Sequence, residues 1–153
     1  NLAFIPEGSA VFVSFGEIDC RSNEGFIPAA AKLAHSVDDL IVDTVTGYLQ
    51  WFTRHNKLWN HNIYLVNVPA PEYDQTYDAK KNADVANVVT LFNQEMEKQI
   101  AQYSFNLIDV FEFTLGKDGF SNSQYHIDGK HLGAKALPEI EKQLSNFSAD
   151  GFK

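Results

Sequence analysis

The stretch Ala10-Val11-Phe12-Val13-Ser14-Phe15-Gly16-Glu17-Ile18-Asp19-Cys20-Arg21 decides how the rest of the chain is read. Its first six residues are a nearly continuous apolar run stopped by Gly16, which fits a strand buried on both faces. The polar segment Glu17 to Arg21 then falls at the strand's C-terminal end. In open parallel α/β sheets that end faces the ligand crevice.

Working outward, apolar residues recur at helical spacing from Ile27 to His55, through Ala30, Leu33, Ala34, Val37, Leu40, Ile41, Val45, Tyr48, Leu49 and Phe52. The spacing predicts one long helix, or two with a break near Gly47. Ile63 to Val68 reads as a second buried strand, stopped by Pro69-Ala70-Pro71 because proline cannot donate to a ladder. A polar loop runs from Pro69 to Lys80. Asn82 to Tyr103 is again helical by period, Phe105 to Val110 is a third strand, and Ala134 to Leu144 closes the chain as a short helix. Strands alternating with long crossovers predict an α/β layered fold with a parallel sheet, in one domain over 1–153. Three strands make a thin sheet, and a run as apolar as Ala10 to Phe15 is expected to have neighbours on both sides. The expectation is that one or more strands precede Asn1.

The second informative stretch is Tyr125-His126-Ile127-Asp128-Gly129-Lys130-His131-Leu132, which follows the polar loop Lys117 to Ser123. It places a carboxylate three residues before an imidazole. An Asp beside a His fixes the ring's tautomer and stabilises the imidazolium, the supporting half of a nucleophile, base and orienter arrangement. No nucleophile is evident.

Composition limits the alternatives. The 153 residues carry a formal charge of −8, with no run of Lys and Arg, which argues against nucleic acid as a partner. No segment approaches the roughly 18 to 20 apolar residues of a membrane span, and the first residues lack the order of a secretion signal. The chain reads as soluble, with a leader removed upstream also compatible. The compartment stays open, the cytoplasm being the default. The single Cys20 rules out an internal disulfide and any multi-cysteine metal site.

Gly16-Glu17-Ile18-Asp19-Cys20-Arg21 at a strand end and Asp128-Gly129-Lys130-His131-Leu132 before the last helix resemble the third and fifth sequence blocks of the SGNH, or GDSL-type, hydrolases. Val66-Asn67-Val68-Pro69-Ala70-Pro71 resembles that family's strand-to-proline loop, and Leu91-Phe92-Asn93 the helix pattern after it. The resemblance covers nearly all of the chain but only the C-terminal part of the family's domain. It implies a flavodoxin-like parallel sheet with flanking helices, lacking its N-terminal strand or strands. It also implies a Ser-His-Asp triad acting on esters, commonly acyl groups on carbohydrates or lipids, with no metal or organic cofactor. On that resemblance His131 is the general base, Asp128 its orienting partner, and Gly16 an oxyanion donor. The nucleophilic Ser would lie upstream, supplied by an N-terminal segment or by another chain completing the sheet. Where the family's third block has Gly-x-Asn-Asp, this chain has Gly16-Glu17-Ile18-Asp19, so an amide donor is replaced by an alkyl group; losing such a donor costs about 10²- to 10³-fold elsewhere. The string resembles a subgroup in which this replacement is usual, and Arg21 or an upstream residue is the expected substitute.

Other readings of the same residues stand beside this one. His126, Asp128 and His131 have the chemistry of zinc ligands. Glu17 and Asp19 form either a carboxylate pair for acid/base work or a structural set, in which Asp19 accepts from loop N–H groups and Glu17 meets Arg21. Cys20 is either a nucleophile or an inert, semi-buried thiol. Ser14 reads as a core or ladder residue, and Ser9 lies at the strand's other end. His35, His55 and His61 read as surface residues. Trp51, Trp59 and Phe52 read as packing the long helix on the sheet, or as lining an acyl or sugar groove. The alternative function is an inactive module of the same fold that binds carbohydrate or a protein. A receiver-like domain using Asp19 lacks the acidic pair and the later Lys that it needs.

Overall fold

The computed structural model describes residues 2–150. Strands β1 (Ala10–Ser14), β2 (Asn62–Val66) and β3 (Asn106–Ile108) form one parallel sheet in the order β1-β2-β3. Helices α1 (Phe26–Leu33) and α2 (Val37–Asn56) connect β1 to β2, and α3 (Ala79–Ile100) connects β2 to β3. A short helix α4 (Val110–Thr114) follows β3 directly, and α5 (Leu137–Asp150) ends the fold. No described helix is long and apolar enough to cross a membrane. The α/β architecture with a parallel sheet is that expected from the alternation of strand and helix periods.

The sheet is sandwiched unequally. Ile63 and Leu65 of β2 point into a core with Ile41, Val45, Leu49 and Phe52 of α2 and Val89, Phe92 and Met96 of α3. These α2 positions recur every three or four residues, which is why one stripe of the helix is buried. Tyr64 points to the other face and meets Phe147 of α5 at 5.8 Å between ring centroids. Alternation along a strand sends successive side chains to opposite faces, so α2 and α3 cover one face and α5 the other.

Four expectations are corrected here. The strand Ala10–Ser14 is not buried on both faces: it pairs only with β2 among the described residues, and Ala10, Phe12 and Ser14 are exposed. Val11 and Val13 pack on the core, whereas Phe12 stacks on Tyr64 at 5.0 Å and stays half exposed. The helix break lies at Ala34 to Ser36 and not near Gly47. Ala34 turns left-handed (φ 54°), and Ser36 caps α2 by accepting the Asp39 N–H at 3.0 Å, with Asp38 and Asp39 in the first turn. Gly47 stays inside α2, since one glycine costs a helix only about 1 kcal/mol. Of the aromatic set, Phe52 faces the core, but Trp51 is exposed and stacks on His55 at 4.1 Å, and Trp59 lies beyond the helix end. His61 is likewise not a surface residue; it is buried, with Nε2 at 3.3 Å from the Leu2 carbonyl.

Side-chain amides, Asn67 and Asn93 buried and Gln143 half-buried, tie the loops to this frame. Asn93 of α3 accepts the Val68 N–H at 3.0 Å and donates to the Val68 carbonyl at 2.7 Å, so it pairs both peptide groups of the residue after β2. Gln143 of α5 does the same for Asp109 after β3, at 2.8 and 2.9 Å. Asn67 accepts from the Val110 and Phe111 N–H groups and so caps α4. Backbone groups buried without a partner cost about 1–3 kcal/mol each, and these amides remove that cost where the ladder ends. Asn93→Ala is therefore expected to lower the unfolding free energy by about 3 kcal/mol, measured by urea denaturation. A loss below about 1 kcal/mol would show that the Val68 groups find other partners.

Candidate active site

At the C-terminal end of the sheet the segments after β1, after β2 and before α5 enclose a crevice of about 520 Å³. Gly16, Glu17, Ile18 and Asp19 line it from the first segment, Asn67 and Pro69 from the second, and Lys130 and His131 from the third.

The segment after β1 is a compact turn. The Cys20 N–H donates to the Gly16 carbonyl at 3.0 Å, and the Arg21 N–H to that of Ile18 at 3.2 Å. Two glycines are required at its ends. Gly16 has φ +99°, and a Cβ there would run into the Phe92 ring. Gly25 has φ +68°, and a Cβ there would run into the backbone of Asp19. Both the conformation and the close approach exclude a side chain.

Within this turn Arg21 is committed. Nε and Nη2 donate to the two Glu17 carboxylate oxygens at 2.9 and 2.7 Å, and Nη1 donates to Glu24 at 3.0 Å. The hydrogen bond to Glu17, ahead of that to Glu24, holds the guanidinium charge even more firmly than usual. Arg21 does not line the crevice that holds His131; it faces a smaller neighbouring recess. The expected pairing of Glu17 with Arg21 is present. Asp19, however, takes its side-chain hydrogen bond from the Tyr48 hydroxyl of α2, at 3.2 Å, and not from the loop backbone. Burial, then the Asp19 charge, pushes the Tyr48 phenol up, so it stays protonated and donates. Cys20 is fully buried, and burial followed by the Asp19 and Glu17 charges pushes its thiol far above the ordinary range. That thiol is inert at neutral pH.

The segment before α5 folds on itself. The Ile127 N–H donates to the His131 carbonyl at 3.0 Å and the Gly133 N–H to that of Tyr125 at 2.8 Å, closing a small hairpin with Asp128 at its tip. Asp128 Oδ1 accepts the N–H groups of Lys130 and His131, both at 2.8 Å, and Oδ2 meets His131 Nδ1 at 2.8 Å. An ionised carboxylate only accepts, so Nδ1 carries the proton and Nε2 presents its lone pair. The His131 ring, then the two backbone donors, lower the Asp128 pKa to about 2. The pair is well exposed, at 69% and 53% of the side-chain surface.

The structure does not assemble the alternative zinc set. His126 Nδ1 pairs with Ser121 Oγ at 2.9 Å, and no three His, Cys, Asp or Glu side chains converge among the described residues. Burial lowers the His126 pKa against the opposing charges of Glu72 and Asp128, so its ring is neutral. Of the two readings of Ser14, core or ladder residue, the second holds: it pairs with Val66 in the β1–β2 ladder, and its side chain is exposed on the crevice wall. No hydrogen bond joins it to His131. Tyr48 was not foreseen as a wall residue, since its only sequence signal is helical periodicity.

The fold has counterparts among solved structures. A GDSL-like lipase from Bacteroides thetaiotaomicron superposes with a TM-score of 0.62 at 14% identity, over 94% of this chain and 63% of that one. The chain has the fold of the GDSL-like lipases. A protein provisionally assigned as a platelet activating factor, from Streptococcus pneumoniae, superposes with a TM-score of 0.58 at 16% identity, over 91% of this chain and 59% of the other. The chain thus spans less than two thirds of either. No family model and no curated protein sequence matches it.

The depressed Asp128 pKa sets a pH window. A carboxyl whose folded pKa lies below its unfolded value contributes above the unfolded value, near 3.9, and loses that contribution as pH falls through the folded one. The Asp128 carboxyl carbon should titrate by NMR with a midpoint near 2, and the hairpin should persist at pH 4. A midpoint near 4 would mean that the three donors are not held in solution.

Proposed function

We propose that this chain is the greater part of one SGNH-type ester hydrolase domain, acting on an acylated carbohydrate or lipid through a Ser-His-Asp triad whose Ser lies upstream of Asn1. The observation that carries the reading is the Asp128–His131 unit, with three donors on one carboxylate, at the rim of the crevice beyond the C-terminal ends of β1 and β2. The GDSL-like lipase fold supports it.

In this mechanism the Ser hydroxyl attacks the ester carbonyl while His131 Nε2 takes its proton. Asp128, ionised and bonded to Nδ1, holds the ring and stabilises the imidazolium. The oxyanion is met by the Gly16 N–H. Collapse expels the alcohol, which takes the proton back from Nε2, and water attacks the acyl-enzyme by the same route in reverse. Ile18 stands where an amide donor is usual. Arg21 is a poor replacement, because its fork is engaged by Glu17 and Glu24 and faces the other recess. A second donor from upstream of Asn1 fits better. Glu17 and Asp19 have structural roles, the first holding Arg21 and the second receiving Tyr48. No step calls for a metal or organic cofactor.

Hydrolysis of p-nitrophenyl acetate by the full-length protein tests the assignment. Asp128→Asn is expected to reduce kcat on the order of 10⁴-fold by favouring the wrong tautomer, with a melting curve close to wild type. An Asp128→Asn enzyme with wild-type kcat would remove His131 from the base role.

A further inference from the structure

Beside the crevice lies a recess of about 90 Å³, and the two share Glu17, Pro69 and Lys130 as a common wall. Behind that wall the recess is apolar, built from Val85 and Val89 of α3, Val68, Pro71 and the buried Cys20. Of the charged groups on its lining, Lys130 is exposed at the shared wall and the others are engaged. Arg21 is bound to Glu17 and Glu24, and Asp74 accepts from both the N–H and the hydroxyl of Thr76. His126, the remaining imidazole on its lining, is neutral through burial. Ser22 Oγ beside it is buried and uncharged. Such a lining suits a neutral group, because an anion would find no unpaired buried cation.

The volume matches about three water molecules, the room taken by a chain of about two to four carbons. On the hydrolase reading of the adjoining crevice, we propose that this recess binds the acyl chain of the substrate ester as a neutral aliphatic group of two to four carbons. The ester carbonyl then lies at the shared wall next to Gly16, and the alcohol moiety occupies the open crevice. Val85 and Val89 line the recess and not the crevice, and a volume of about 90 Å³ leaves a longer chain outside. A methylene that does not fit such a pocket changes specificity by about ten- to two-hundred-fold. The substrate class is therefore a short-chain ester, acetyl to butyryl, and not a long-chain lipid ester.

Val85 is the residue to vary, because it is half-buried and can change size with less risk to the core than Val89. The first readout is kcat/KM of the full-length protein on p-nitrophenyl acetate, butyrate and octanoate. Wild type should fall at least about tenfold from butyrate to octanoate. Val85→Ala should recover the octanoate, and Val85→Phe should confine turnover to the acetate. The second readout needs no turnover: butyramide, a neutral mimic of the acyl end, should shift the Val85 and Val89 methyl resonances saturably in wild type. In Val85→Phe the Val89 methyls should no longer respond. Turnover with one chain-length profile in all three proteins, and methyls unmoved by butyramide, would overturn the recess and leave the hydrolase intact. Saturable shifts without turnover of any ester would keep the recess as an acyl-sized site and overturn the hydrolase.

Discussion

Parallel pairing of β1 with β2, in the register Ala10↔Asn62 through Ser14↔Val66, is the constraint on which the rest depends. Parallel strands end on the same side, so the segments leaving β1 and β2 must emerge together. Everything of chemical interest in the molecule lies in what those segments, and the one before α5, place around that edge. The crossover through α2 that parallel pairing demands also brings Tyr48 onto the crevice wall, where it meets Asp19. A long connection forced by topology thereby supplies a side chain to the site.

The loops at that edge are held by side chains that imitate peptide groups. Asn93 closes on Val68, Gln143 on Asp109, and Asn82 holds the segment after β2 by accepting the Asp74 N–H at 2.9 Å and donating to the Asp74 carbonyl at 3.0 Å. A parallel ladder that ends leaves donors and acceptors pointing at core, and each amide satisfies two of them without a further strand. The Asp128–His131 unit is organised differently. Its carboxylate draws all three donors from the next three residues, so its geometry is local and needs only the hairpin closed by Tyr125 and Gly133.

That difference explains what could be read from the chain alone. The Asp128 to His131 spacing was legible because the contact spans three residues, and the Glu17 to Arg21 fork because four residues separate partners in a turn. Strand and helix alternation was legible from apolar period. Contacts set by tertiary placement were not: Tyr48 lies 29 residues from Asp19, and Asn93 lies 25 from Val68. The break at Ala34 was hidden because apolar spacing continues through it, although Ser36-Val37-Asp38-Asp39 carries a capping signature. The burial of β1 was overestimated because an apolar run reports what a strand prefers, and Phe12 and Ser14 have no strand beyond them among the described residues.

The central claim is that His131 serves as base to a serine in this crevice, and fluorophosphonate labelling of the full-length protein addresses it most directly. The labelled peptide is located by mass spectrometry, with His131→Ala as control and Ser14→Ala to separate the exposed serine on β1. The account predicts a label on a serine upstream of Asn1, retained in Ser14→Ala and lost in His131→Ala. A folded full-length protein that takes no label, or takes it equally without His131, would contradict the account and leave the crevice as a binding site.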